Sequence, residues 1–131
     1  MTTPTFSPGF RLSLFDVLIL LGGLMGSIAL GMRIWWAGMV VALVVVHFFL
    51  FCNVFRISRP PELIWAAAFV ALAGSTIVTG LPGWVATPVL AVALSTFLIW
   101  RETRKADYHG ICWKRWNPGL PDWWETHRGR N

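Results

Sequence analysis

Charged residues are scarce in this chain. Asp, Glu, Lys and Arg together make up 13% of its 131 residues, against roughly 25% in ordinary soluble domains. Its two cysteines cannot form a disulfide-rich scaffold. In their place stand long apolar blocks, with 56% hydrophobic residues and a mean hydropathy of +0.60. This combination is typical of an integral membrane protein and excludes a disordered or soluble chain.

Sequence motifs typical of nucleotide-binding, catalytic and metal-binding sites are absent as well. The chain has no P-loop, no GxSxG, no HExxH and no CxxC. His109, Cys112 and His127 are too few ligands for a closed zinc site, so we expect no metal. The net charge of +5 could favour nucleic acid, but the basic residues flank apolar blocks, where they normally set membrane orientation. We therefore expect neither an enzyme nor a nucleic-acid partner.

Four apolar segments predict an all-α membrane domain over residues 12–100, arranged as two helical hairpins. The segments are residues 12–32, 34–55, 62–79 and 84–100. Helices of these lengths span about 25–33 Å, enough for the hydrocarbon core of a bilayer. The first stretch is longer than the apolar region of a signal peptide, so a retained helix is expected. Residues 1–11 form a short N-terminal segment and residues 101–131 a C-terminal tail.

The distribution of basic residues predicts the orientation. With four spans, one side of the membrane carries ten Lys and Arg residues, and the other side carries Arg33 alone. Under the positive-inside rule both termini are then cytoplasmic, as in a multi-pass protein of a bacterial inner membrane. Tryptophans are expected at the outer boundary (Trp35, Trp36, Trp84) and at the inner boundary (Trp65, Trp100).

Small residues recur at intervals of four in several spans and predict close helix packing. The rows in the first and third spans consist of Gly22, Gly23, Gly26, Ser27, Gly31, Ala67, Ala71 and Ser75. Such rows can join helices of one chain or of two copies, and packing within the chain is the favoured interpretation because four helices already offer partners.

His47 lies near the middle of the second span and is the main candidate for a cofactor ligand. Its apolar helical face could accommodate a tetrapyrrole, either haem or a (bacterio)chlorophyll. The favoured interpretation is a structural histidine without a cofactor, hydrogen-bonded to Ser75, Thr76 or Ser95. Asp16 is a weaker candidate for transport, since it is expected close to the membrane boundary, where ion pairing is the simpler role.

The tail combines aromatic and basic residues. Those expected to contact lipid or a partner protein are Trp113, Lys114, Arg115, Trp116, Trp123 and Trp124. Exposed indoles are costly, and thirty-one residues cannot build their own core. We therefore expect a non-catalytic accessory subunit of a larger, respiratory or photosynthetic, membrane complex, which contacts the bilayer and other subunits. The alternatives are a tetrapyrrole-binding electron-transfer or light-harvesting subunit that uses His47, and a small four-helix transporter or channel.

Overall fold

The computed structural model describes residues 5–127 and consists of helices joined by short connections. The long helices are α1 (Leu14–Gly31), α2 (Trp35–Phe49), α3 (Arg59–Thr79) and α4 (Ala86–Glu102). A π-helical segment, Leu50–Val54, extends α2 without a break. Two short helices in the tail are α5 (Trp113–Trp116) and α6 (Leu120–His127). The described residues 5–127 contain no strand, as predicted from the sequence.

Within residues 5–127, three helices are long and apolar enough to cross a membrane: α1, α2 with its π-helical extension, and α3. By length and composition, these three helices indicate that the chain inserts into a membrane. The fourth long helix, α4, has 17 residues. It packs along α3, as α1 packs along α2.

The first hairpin depends on two glycines and a serine. A Cβ atom on Gly38 would lie 2.5 Å from both the Cα of Gly31 and the carbonyl oxygen of Ser27. The Ser27 hydroxyl donates a 2.6 Å hydrogen bond to the Gly38 carbonyl. Close backbone approach and an interhelical hydrogen bond are the interactions that hold helices together where water is absent. Within α1, Ser27 alone is buried.

The small residues of α1 that the sequence analysis singled out lie on two different faces of the helix, one toward α2 and one away from it. Gly23, Ser27 and Gly31 face α2, whereas an added Cβ on Gly22 or Gly26 would meet no described atom within 4 Å. The structure therefore separates two rows that overlap in the sequence.

The row on α3 points away from the rest of the chain. Ala67, Ala71 and Ser75 are exposed, so the favoured interpretation of packing within the chain does not describe them. The contact with α4 is made by another face of α3, where Trp65, Phe69, Ala73 and Thr76 are buried. A row of small residues indicates that close packing is possible, but its period alone does not identify the packed face.

The core lies between α2, α3 and α4. Phe51, Trp65, Phe69, Ala91 and Leu98 form one buried cluster. Trp65, expected at the inner membrane boundary, is only 4% exposed and belongs to this core. Nearer the other end, the hydroxyls of Thr76 and Thr87 are hydrogen-bonded at 2.8 Å. Such polar pairs fix the register of α3 against α4.

Both ends of α3 follow simple backbone rules. The helix begins at Arg59 rather than after the prolines, because Pro60 and Pro61 occupy first-turn positions, whose N–H groups have no partner within a helix. Its C-cap is Gly80 in the left-handed conformation, with φ of 76°. Glycine adopts this conformation without the steric penalty of a Cβ.

Candidate functional site

His47 is buried at the point where α2, α3 and α4 meet. Its Nδ1 lies 3.0 Å from the Ser95 hydroxyl oxygen, and that hydroxyl donates its proton to the Ala91 carbonyl at 2.9 Å. The serine oxygen can therefore only accept from His47, which assigns the imidazole proton to Nδ1. Of the three hydroxyls proposed as partners from the sequence, Ser95 is the one bonded to His47.

Trp65 completes this arrangement. Its indole stacks on the imidazole with ring centroids 3.4 Å apart, and its N–H donates to the same Ala91 carbonyl at 3.0 Å. We call His47, Trp65, Ser95 and the Ala91 carbonyl the histidine node. The node joins three helices by hydrogen bonds in a region that offers no water as an alternative partner.

The other ring nitrogen, Nε2, is an acceptor without a hydrogen-bond partner among the described residues. A histidine whose Nδ1–H donates a hydrogen bond and whose Nε2 lone pair has no partner is in a tautomer that can bind a metal through Nε2. However, Nε2 is buried, and Trp65 and Phe51 pack against the ring. A haem or chlorophyll macrocycle could not reach this nitrogen without displacing them, so the packing does not fit a tetrapyrrole.

Asp16 is placed at the first turn of α1 as a capping residue. Its carboxylate accepts hydrogen bonds from the Ser13 backbone N–H at 2.8 Å and from the Ser13 hydroxyl at 2.7 Å. The Ser13 hydroxyl oxygen accepts in return from the Asp16 backbone N–H, which completes a capping box. Asp16 also lies at one end of an apolar cavity of about 210 Å³ between α1 and α2. This position is remote from the middle of the helix, where a transport carboxylate would be expected.

The tail folds against the loop after α2 and against the N-terminal segment. Backbone N–H groups of Gly9 and Ile111 donate to the carbonyls of His109 and Val54, at 2.7 and 2.8 Å. We call residues 5–13, 53–58 and 103–127 together the tail layer. Backbone hydrogen bonds join these three segments, which are largely irregular in conformation. The tail is therefore an ordered part of the fold.

Buried polar groups reinforce the tail layer. Glu102 is only 5% exposed; it accepts a 3.0 Å hydrogen bond from the Ser58 hydroxyl and pairs with Lys105. The Tyr108 hydroxyl donates to the Ile111 carbonyl at 2.8 Å, and burial raises the pKa of this phenol above its usual value. Burial is the main cause that lowers the pKa of Arg56, and the nearby positive charge of Arg11 lowers it further. The Arg56 guanidinium donates a hydrogen bond to the Ser7 carbonyl at 2.6 Å.

The four tail tryptophans have distinct positions. Trp113 and Trp124 are half-buried beneath Phe6, with ring centroids 5.9 and 5.6 Å from its ring. Trp123 is half-buried and stacks on His127 at 4.3 Å. Trp116 is 46% exposed. From the sequence we expected these tryptophans to contact lipid or a partner protein. Part of the contact surface of Trp113 and Trp124 is instead supplied by Phe6 of the N-terminal segment.

Lys114 and Arg115, the basic pair in α5, are both exposed. Arg115 and Trp116 face the end of α4, where they line an open groove with Trp100 and Arg104. Over residues 5–127, no three His, Cys, Asp or Glu side chains gather in a way that could hold a metal ion.

Several of these positions were not predicted from the sequence. The role of Asn53 is one of them: its side-chain amide donates to the Arg11 carbonyl at 3.1 Å, and its backbone carbonyl accepts from the Arg11 N–H at 3.1 Å. Glu102 and Tyr108 were not singled out, although a lone carboxylate at the end of an apolar span and the chain's one tyrosine were available signals.

Comparison of the chain with protein-family models, with curated protein sequences and with solved structures gave no match. The interpretation of these sites therefore rests on their own geometry.

Proposed function

We propose that the protein is a non-catalytic accessory subunit of a larger membrane protein complex, anchored by four helices and docked through its tail. The proposal of a non-catalytic role is supported by the structural hydrogen bonds that the protein's acid–base side chains form. Asp16 caps α1, His47 joins α4 through Ser95, and Glu102 binds Ser58 and Lys105. Each candidate for chemistry thus already holds the chain together.

The proposed topology has α4 as a fourth span and both termini in the cytoplasm. The support comes from charge. With α4 across the membrane, residues 1–11, the segment that joins α2 to α3 with the first turn of α3, and residues 101–131 lie on one side and together carry ten Lys and Arg residues, against one on the other side. The stacked pair Trp36 and Trp84, with centroids 4.9 Å apart, then marks the outer boundary. A bacterial inner membrane is the setting we propose.

Docking through the tail is supported by its order and by the surface of α6. Leu120 is 1% exposed and fixes the start of α6, while Trp123 remains half-exposed beside the exposed Asp122 and Glu125. An aromatic ring held on a rigid element and bordered by polar groups is the usual centre of a protein interface. The proposal that the complex is respiratory or photosynthetic rests on the buried His47 and not on a sequence motif.

The test is co-purification of the tagged full-length chain from its native membrane in mild detergent, followed by native mass spectrometry. We expect other subunits at fixed stoichiometry. Trp123→Ala should reduce their recovery at least roughly tenfold, as removal of an interface anchor does. Trp35→Ala, the same change at the opposite end of the molecule, is the matched control and should leave recovery unchanged. A chain recovered without other subunits, or equal recovery with both variants, would contradict the proposal.

A further inference from the structure

The end of α4 and helix α5 border an open groove whose chemistry is suited to a phosphate group. The groove has a volume of about 740 Å³ and is lined by Thr96, Ile99, Trp100, Thr103, Arg104, Arg115 and Trp116. This volume falls within the range of about 300–1,000 Å³ that ligand sites usually occupy. From Thr96 to Arg104 the groove follows the last turns of α4 and changes from apolar and hydroxyl side chains to guanidinium groups.

The two arginines face the groove with uncompensated charge. Among residues 5–127 the one ion pair joins Glu102 to Lys105, and no carboxylate is among the residues that line the groove. The Arg104 guanidinium lies 4.3 Å from the centroid of the Trp100 ring. Stacking on an indole fixes the guanidinium plane and leaves its N–H edge free for a phosphate oxygen.

We propose that this groove binds an anionic phospholipid, with its phosphate between Arg104 and Arg115 and an acyl chain along Thr96 and Ile99. The charge selects an anionic headgroup, and the apolar lower part selects a ligand with a hydrocarbon chain. Trp100 and Trp116 stand where the two parts meet, the depth at which indoles bind at a membrane interface. Basic sites at the cytoplasmic ends of spans recognise anionic lipid headgroups in this way. The inference rests on α4 being a span with its C-terminal end at the cytoplasmic surface.

The test is retention of lipid by the purified full-length chain in detergent, measured by native mass spectrometry. The probes are phosphatidylglycerol and phosphatidylcholine with identical acyl chains. We expect phosphatidylglycerol to be retained and phosphatidylcholine to be lost at the same concentration. Equal retention of the two lipids would overturn the proposal, because the headgroup charge would then not be recognised.

Two double variants separate the groove from general surface charge. Arg104→Gln with Arg115→Gln should weaken phosphatidylglycerol retention on the order of 10- to 30-fold, as expected from the loss of two cations near the headgroup. Arg101→Gln with Lys114→Gln removes the same charge from neighbouring positions outside the groove and should change retention less than about threefold. Equal losses in both double variants, or no loss in the first, would overturn the proposal.

A third variant and a competitor test the acyl chain. Thr96→Trp keeps all charges but fills the apolar part of the groove, and it should also abolish retention of phosphatidylglycerol. Because it leaves the arginines in place, it keeps the proposal testable if the double variant fails to fold. Glycerol 3-phosphate should not displace the lipid; displacement by it would show a site for free phosphate esters instead. Since binding is measured on the isolated chain, its outcome is independent of the partner subunits.

Discussion

Trp65 lies flat on the imidazole of His47, with ring centroids 3.4 Å apart and ring planes 10° from parallel. Both residues are connected to the Ala91 carbonyl by hydrogen bonds. Trp65 donates to it directly, and His47 donates to the Ser95 hydroxyl, which in turn donates to this carbonyl. The histidine node therefore holds α3 and α4 together and fixes α2 against them. A histidine at this depth can thus be explained by helix packing, without a cofactor.

The node predicts an unequal effect of two substitutions. Ser95→Ala leaves the buried His47 N–H without an acceptor and should destabilise the protein by roughly 1–3 kcal/mol. His47→Phe keeps a ring against Trp65 and leaves the Ser95–Ala91 bond intact, so it should cost less, about 1 kcal/mol or below. The measurement is thermal unfolding in detergent.

The double variant provides the control for this prediction. With Phe at position 47, Ser95→Ala should add little further destabilisation, because its effect depends on the histidine N–H. Additive effects of the two substitutions would contradict the hydrogen-bonded node.

The α1–α2 hairpin offers a matched pair of glycine substitutions. Gly38→Ala places a methyl group 2.5 Å from backbone atoms of Gly31 and Ser27, so the helices must separate, at a cost of roughly 1–3 kcal/mol. Gly26→Ala meets no described atom within 4 Å and should leave the stability of the monomer unchanged. Reversible unfolding in detergent at low protein concentration measures both. A loss of stability at Gly26 as large as that at Gly38 would contradict the assignment of the two glycines to different faces.

Tyr108 predicts how the tail layer responds to alkaline pH. Burial raises the pKa of its phenol in the folded protein above the value of about 10 for an unfolded chain. The folded state therefore holds the proton more tightly than the unfolded state. The resulting stability is fully present below about pH 10 and is lost as the pH rises through the folded pKa.

Absorbance of the phenolate near 295 nm can follow this titration, since Tyr108 is the one tyrosine of the chain. We expect a midpoint well above 10 in the native protein and near 10 in denaturant. Equal midpoints in the two conditions would contradict the burial of Tyr108.

The attachment of the tail can be tested at Gly110. A Cβ there would collide with the Phe55 carbonyl, whereas a Cβ on Gly119 would meet no described atom within 4 Å. Gly110→Ala should therefore loosen the tail layer and speed proteolytic cleavage after Arg104 or Lys105, while Gly119→Ala should not. Equal cleavage rates for both variants would show that the tail is not fastened at this point.

The long helices could be predicted because they depend on local properties of the sequence. Apolar runs of membrane length, with Gly80 and the prolines at their ends, place α1, α2 with its π-helical extension, and α3 to within three residues at each end. The membrane class follows from the same runs. His47 could be singled out because a histidine in an apolar run is uncommon.

The tail layer could not be predicted because its contacts join distant parts of the chain. The hydrogen bond from Gly9 to His109 spans the whole membrane domain in sequence, and no local pattern indicates it. Likewise, the spacing of Ala67 and Ala71 defines a face of α3 without showing that Trp65 and Phe69, on another face, make the contact. The sequence contained the residues of these interfaces but did not indicate how they pair.

Cysteine accessibility tests most directly whether α4 crosses the membrane, on which the proposed tail docking and lipid site both depend. Cys112 is exposed in the tail layer, and Leu81 is exposed in the turn between α3 and α4. A membrane-impermeant maleimide is applied to spheroplasts that produce either Cys52→Ser or Cys52→Ser/Cys112→Ser/Leu81→Cys. With α4 across the membrane, we expect labelling of the cysteine at position 81 in intact spheroplasts and of Cys112 only after permeabilisation. Labelling of Cys112 in intact spheroplasts would contradict this topology.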